Sequence, residues 1–445
     1  MRTRDDRLAT ALLAGLLASA APLRAEESAA VDARLRELER KVQALESKEE
    51  ASPFVLAGKE GLGLRSAQGD FVLRFGAHMQ ADTRTFVDRA PGTGNDTFLM
   101  RRVRPILEGT VYDRFDFRLM PDFGSGATQL FDAYVDLRLC PELRLRAGKF
   151  KPPLGLEQLQ QDVYTAFVER ALPAALVPIR DVGVQVHGVI GQGVLAYALG
   201  AFNGVPDGTL GDAGLNDSKE LDGRLFSQPF ASSGIEALRK LGLGVSGSYQ
   251  RVHGTTASAF LPTFKSAGQQ SVFSYRSDGT LAGTSVADGA HGRLSPQGFW
   301  YWGRFGLLGE YVRSSQDVRR DTVNARMDNS AWQAAAYWVL TGEDASYTGV
   351  KPRANFDPDK GQWGAWELDA RFNSLTVDPA AFPVFADPAR SVQRARAVGV
   401  GINWYMNPAV KAVLDFEQTR FLGGAATGVR KDEKAVQTRL QLAFF

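Results

Sequence analysis

The stretch FVLRFGAHMQADTRTF, Phe71 to Phe86, decides the fold. Its odd positions Phe71, Leu73, Phe75, Ala77, Met79 and Ala81 are apolar, while Arg74, His78, Gln80, Asp82 and Arg84 occupy even ones. Residues two apart share one face of a strand, so the stretch reads as a ribbon with one apolar and one charged side. It is roughly three times the length of an ordinary strand. An apolar face against lipid and a charged face against a water-filled lumen account for both properties. Backbone polar groups find no water partner in lipid, so such a sheet must close on itself.

The rule repeats along the chain. Strand-like segments follow at MRRVRPILEGTVY, RFDFRLMPD, ELRLRAGKFK and KAVLDFEQT. In LFDAYVDLRL, Phe131, Ala133, Val135 and Leu137 alternate with Asp132, Tyr134, Asp136 and Arg138; in GAWELDARFNS, Trp366, Leu368, Ala370 and Phe372 alternate with Glu367, Asp369, Arg371 and Asn373. Short turns fall at Asp113-Arg114, Cys140-Pro141, Gly191-Gln192, Gly303 and Asn407-Pro408. Longer polar loops run from Val87 to Asp96, Pro152 to Asp181, Gly254 to His291 and Gly423 to Glu433. Short turns on one side and long loops on the other predict an all-β, 16-stranded antiparallel transmembrane barrel from Phe71 to Phe445. Two connections, Ala231 to Lys240 and Thr341 to Gly361, exceed what the short-turn side calls for, and QSVFSYRS (Gln270 to Ser277) is placed inside a loop. FWYW (Phe299 to Trp302) and NWYMN fit aromatic girdles at the membrane interfaces.

Composition agrees. Among 445 residues there are 46 glycines and 10% aromatics, with no apolar run long enough for a membrane helix. The balance of 52 basic against 50 acidic residues excludes a nucleic-acid-type polyelectrolyte. The single cysteine, Cys140, forms no internal disulfide. At the N-terminus, basic residues at Arg2, Arg4 and Arg7 precede an apolar segment from Leu8 to Ala21. This reads as a secretory signal peptide over 1–25, with cleavage after Ala20 or Ala25. Over 26–52, Val31, Leu35, Leu38, Val42 and Leu45 are spaced as a heptad seam, predicting a short coiled-coil or amphipathic helix. The barrel domain then occupies 53–445.

Signals for enzyme chemistry are weak. His78, His187, His253 and His291 lack metal-ligand spacing, and GVIGQG (Gly188 to Gly193) sits at a turn with no helix after it. No serine–histidine motif marks a hydrolase, and no cofactor is expected. A pore selective for anions needs cations at successive depths on the lumen face, and arginine forks bind phosphate oxygens bidentately. The candidates on the first five strands are Arg74, Arg84, Arg102, Arg104, Arg118, Arg138, Arg144 and Arg146. Asp82, Glu108, Asp116, Asp132 and Asp136 stand among them as charges able to neutralise the field. In the loop from Pro152 to Asp181 and the strand end before it, Lys149, Lys151, Arg170 and Arg180 are the basic candidates. YTAFVERALPAAL within this loop reads as a short helix, and the loop contains no lysine cluster.

GKFKPPLGLE, FVERALPAALVPIRDVGVQVHG, WVLTGED, GAWELDARF and GINWYMNPAVKAVLDFEQTRF resemble the phosphate-selective porin O and P family across essentially the whole mature chain. That resemblance implies a trimeric 16-stranded outer-membrane barrel of a Gram-negative bacterium, whose third loop folds into the pore. It also implies an arginine ladder drawing phosphate, polyphosphate or other small anions inward. Outer-membrane lipid and a barrel-assembly machinery reading the C-terminal Phe444 or Phe445 are the expected partners. Barrels of this kind end on the aromatic of the lipid face, here Phe444, so Phe445 is an added residue. A general small-solute porin, or a structural or adhesive barrel, stays open as an alternative.

Overall fold

The computed structural model describes residues 33–43, 54–58, 61–88, 94–214 and 217–445. The expected signal peptide, the ends of the heptad segment and part of the first loop lie outside the described residues. Sixteen antiparallel strands form the wall: β1 (Phe71–Phe86), β2 (Thr97–Val111), β3 (Phe115–Asp122), β4 (Gln129–Cys140), β5 (Leu143–Phe150), β6 (Asp181–Ile190), β7 (Leu195–Phe202) and β8 (Glu220–Ser227). They continue as β9 (Leu241–His253), β10 (Ser285–Trp302), β11 (Phe305–Arg320), β12 (Val323–Val339), β13 (Ala365–Thr376), β14 (Val392–Tyr405), β15 (Val410–Ala425) and β16 (Glu433–Phe444). Each pairs with its neighbours, and β16 closes on β1 from Ala435↔Phe86 to Phe444↔Ala77. The expected even-stranded closed barrel is therefore present.

The edge of β1 that β16 leaves unpaired is taken up by a hairpin, Phe54–Gly58 with Gly61–Arg65, in register from Leu62↔Phe75 to Arg65↔Val72. Residues 33–43 form one exposed helix in which Leu35, Leu38 and Val42 of the heptad seam face no partner among the described residues. No second helix packs against it among the described residues.

Period-2 alternation explains the wall. On β1, His78, Gln80, Asp82 and Arg84 are buried in the lumen while Phe75, Met79 and Ala81 stay exposed outside. The girdle sequences split between the two faces. Trp302 is exposed outside, whereas Tyr301 and Tyr405 are buried in a cluster with Val339, Ala345, Val350 and Ala365. Phe131 breaks the alternation. A bulge between Met120 and Pro121 leaves it opposite no partner, and it turns inward with Ile106 and Met120 beneath the guanidinium of Arg104, 4.1 Å from its ring centre.

The lumen is partly filled from both ends. From the long-loop side, residues 151–180 (L3), 254–284 (L5) and 377–391 (L7) bury Leu154, Leu172, Leu176, Phe264, Phe273 and Phe385 against Val312, Met327 and Leu375 of β11–β13. This apolar mass fills the lumen beside β11–β13 toward the long loops, while Glu367, Asp369, Arg371, Lys411 and Asp415 line β13–β15 nearer the short turns. The segment expected inside a loop, Ser271–Ser274, pairs with Thr263–Lys265 as a small hairpin of L5, separate from the wall. From the short-turn side, residues 340–364 also reach inward. Tyr347 donates its hydroxyl to the Leu156 carbonyl of L3 at 2.6 Å, accepts Gln160 Nε2 at its own carbonyl at 2.7 Å, and stacks on Phe299. The other long connection, 228–240, accepts the Trp300 indole N–H at Ala237 O (2.6 Å) and ties to the first through Lys240–Asp344 at 2.9 Å. Both excess lengths thus have a place in the fold.

Candidate functional site: the loop across the lumen

L3 leaves the wall at the end of β5. Gly148, at φ +130°, permits a strand approach in which an added Cβ would sit 2.2 Å from Ala133 O. Lys149 and Phe150 are both buried while still paired in the wall, Lys149 with Ala133 and Phe150 with Asp181, and the chain leaves the wall directly after them.

The short helix expected at 164–176 is reduced to a single 3-10 turn, Leu172–Leu176. The reason is competition for the backbone. Val168 N–H goes to Asp415 (2.7 Å), Ala171 N–H to Glu157 (2.8 Å) and Leu172 N–H to Asn373 (3.3 Å). The carbonyls of Val163, Thr165, Ala166 and Glu169 accept from Gln441 (3.1 Å), Lys411 (2.8 Å), Asn403 (2.9 Å) and Arg371 (2.8 Å). Side chains of β13–β16 thus take groups that a helix would have satisfied within itself. L3 is a strap sewn across the barrel.

Two carboxylates of this strap gather five wall and loop arginines. Asp162 pairs with Arg102 at 3.4 Å and with Arg104 and Arg170, and Glu169 pairs with Arg84 at 3.3 Å and Arg101 at 2.7 Å. Burial alone would raise the Asp162 carboxyl, but Arg102, Arg170 and Arg104 hold it well below the usual carboxylate range. Burial likewise opposes the charge on Glu169, yet Arg101 brings it down to about 2. Asp122 takes a second hydrogen bond from Arg104 at 2.7 Å. Five guanidiniums against three carboxylates leave the cluster positive.

The remaining wall candidates are also neutralised in part. Arg118 meets Glu108 at 2.8 Å and Asp132 at 3.6 Å; Arg138 meets Asp116 at 3.2 Å. Arg144 bridges Asp116 (2.6 Å) and Asp136 (3.0 Å), and Arg146 shares Asp136 at 2.5 Å. Arg74 is exposed at the short-turn end of β1, away from the cluster. Arg180 donates to Asp132 at 2.6 Å, and Lys149 pairs with Asp212.

Lys151 differs. Its ammonium donates only to the carbonyls of Gln158 (2.6 Å) and Gln160 (2.7 Å), and no carboxylate pairs with it among the described residues. Burial pushes its pKa well below the ordinary lysine value, and Arg170 and Arg180 push the same way.

A cavity of about 390 Å³ lies on the short-turn side of L3, bounded by Lys151, Asp162, Val189, Ala196 and Phe445. Arg104, Arg118, Arg146, Lys151, Arg180 and Arg224 line it against only Asp132 and Asp162. Arg224, on β8, was not singled out from the sequence; it donates to Gln297 at 3.2 Å and pairs with no carboxylate among the described residues. A second cavity of about 280 Å³, on the long-loop side, holds Arg101, Arg170, Lys265, Glu169 and Glu417. Sequence reasoning also passed over Arg371, Lys411 and Arg439 as site residues: Arg371 meets Glu417 two strands away, and Arg439 meets Asp82, its cross-strand partner where β16 closes on β1, at 2.7 Å. Phe445 turns into the first cavity with Ile106 and Met120 while Phe444 stays exposed outside.

An anion held about 5 Å from one uncompensated cation gains about 3 kcal/mol at an effective dielectric near 20. Two such cations, Lys151 and Arg224, face the first cavity. Lowering the pH protonates Lys151, so anion affinity is expected to rise as pH falls from above its depressed pKa. Sulfate block of a chloride current followed down a descending pH series measures this, because sulfate keeps its charge where phosphate does not; a flat profile would contradict the assignment.

The family model for phosphate-selective porin O and P matches residues 72–444. The chain is 26% identical over 430 residues to Porin O of Pseudomonas aeruginosa, covering 89% of this chain and 93% of that one. An anion-selective porin from Comamonas acidovorans superposes with a TM-score of 0.53 at 11% identity, covering 84% of this chain and 100% of that chain. The trimer form of OmpT from Vibrio cholerae superposes with a TM-score of 0.50 at 11% identity, covering 84% and 99%. With a family match running along nearly the whole barrel, the chain belongs to the phosphate-selective porin O and P family and is a channel, not an enzyme.

Proposed function

We propose that this channel passes small anions across an outer membrane, phosphate first, past L3 and through the cation-lined cavity beneath it. One observation carries the reading: the cavity beneath L3 is lined by six cationic side chains against two carboxylates, and Lys151 and Arg224 have no carboxylate of their own. L3 is the constriction. Arg84, Arg102 and Arg104, with Arg101 and Arg170, form its positive rim, while Arg118, Arg138, Arg144 and Arg146 sustain the field below it and Arg74 marks the exit. Lys149 and Arg180 hold the loop's two ends. The working form is a homotrimer whose secretory leader, residues 1–25, is removed, and Phe444 is the residue that assembly machinery reads.

A general small-solute porin is the second reading. It is favoured by the carboxylates that already occupy Arg84, Arg102, Arg104, Arg118, Arg138, Arg144 and Arg146. The two readings separate in planar bilayers with phosphate titrated into KCl. Anion selection predicts that phosphate blocks the chloride current, and that Lys151→Gln combined with Arg224→Gln weakens the block about tenfold or more. Equal block in wild type and double variant, or no block in either, would discard the anion site and leave the general porin.

A further inference from the structure

The outer face of the barrel carries a cluster that the channel reading leaves unused. On β14 the outward positions run Trp404, Ile402, Val400, Val398, Arg396, Arg394, and on β15 they run Leu414, Phe416, Gln418, Arg420, Leu422. Val398 and Val400 are each about half exposed, as lipid-facing residues of an isolated barrel are. Eight residues separate Trp404 from Arg396. At about 3.3 Å per residue and a tilt near 45° this is roughly 20 Å of height, close to the far edge of an apolar band about 25 Å tall. The arginines therefore stand where the long-loop leaflet turns polar.

Their arrangement is unfavourable for the protein alone. Arg396 lies directly opposite Arg420 in the β14–β15 register, with Arg394 next along the same face opposite Leu422. Like charges facing each other across strands destabilise a sheet. Asp432 lies 3.5 Å from Arg420, and no carboxylate pairs with Arg394 or Arg396 among the described residues. Two other outward arginines near the long loops are matched within the wall, Arg313 with Asp328 at 2.9 Å and Arg319 with Asp288 at 2.6 Å, while Arg251 on β9 stands outward singly with no carboxylate pairing with it among the described residues. What sets the β14–β15 patch apart is the clustering of three guanidiniums around one carboxylate with an apolar belt beneath them.

We propose that Arg394, Arg396 and Arg420 bind the phosphorylated headgroup of a lipid in the outer leaflet, with its acyl chains lying along Val398, Val400 and Phe416. Guanidinium forks match phosphate oxygens, and the apolar belt supplies what a free anion could not use. The proposal rests on the outer-membrane placement and is independent of anion passage.

The full-length protein, purified from outer membranes in mild detergent, tests it by native mass spectrometry with added lipid. Bis-phosphorylated lipid A is expected to remain bound to wild type. Arg394→Gln/Arg396→Gln/Arg420→Gln is expected to retain roughly tenfold less. Arg313→Gln/Arg319→Gln should bind as wild type, and dephosphorylated lipid A should bind wild type no better than the triple variant. Heat-modifiable electrophoretic mobility establishes that each variant is folded. Equal retention by wild type and triple variant, or retention indifferent to the lipid's phosphates, would overturn the proposal. So would displacement of the lipid by millimolar inorganic phosphate, which marks a simple phosphate site, or a cross-link from position 396 to a neighbouring barrel, which marks a subunit contact.

Discussion

Excising residues 158–169 and closing the gap with a short glycine–serine linker is expected to raise single-channel conductance about threefold or more. L3 spans the lumen by bonds to four strands on the far wall, Gln441, Lys411, Asn403 and Arg371 each holding one of its carbonyls. Removing the strap removes the obstruction. Selectivity should behave differently. The deletion takes away Asp162 and Glu169 but leaves Arg84, Arg101, Arg102 and Arg104 on the wall, so the barrel should still prefer anions. What should vanish is saturation of the current at low anion concentration, because that needs a narrow, weakly screened site. Recordings with and without the deletion, over a range of KCl concentrations, separate the three quantities. Unchanged conductance would show that passage does not run where L3 lies.

The second large effect is a gain rather than a loss. Asp162→Asn keeps the shape of the side chain and withdraws one negative charge from Arg102, Arg104 and Arg170. Breaking a buried ion pair on one side commonly costs about 3–5 kcal/mol, because the partner charge is left uncompensated. Here an entering anion can supply the compensation. Phosphate block should therefore tighten, roughly tenfold, with slower exit and a smaller current. Weaker block would mean that Asp162 serves to aim the arginines rather than to subtract from their field.

The wall was legible because it obeys a local rule. Alternation in Phe71–Phe86 alone separates the lumen set from the lipid set, and the same parity assigns Trp366, Leu368, Ala370 and Phe372 to the outside. It fails at Phe131, where one extra residue in β4 shifts the phase, and a bulge has no signature in the pattern itself. The interior was far less legible. YTAFVERALPAAL has the composition of a helix, but its backbone partners Asp415, Asn373, Lys411 and Asn403 lie more than 200 residues away in sequence. Nothing near residue 165 announces them. For the same reason the inward fold of 340–364, held by Tyr347 on L3, appears in the sequence only as a connection of unexpected length. Arg224 went unnoticed because a lone arginine in ELDGRLFS looks like any wall charge; only the absence of a carboxylate near its side chain distinguishes it.

The central claim is that the described lumen selects for negative charge, and the reversal potential of the wild-type channel under a KCl gradient tests it with the fewest assumptions. The account predicts a potential whose sign reports chloride crossing in preference to potassium, growing larger as salt is lowered and screening weakens. A potential of zero, or one of the opposite sign, would contradict it.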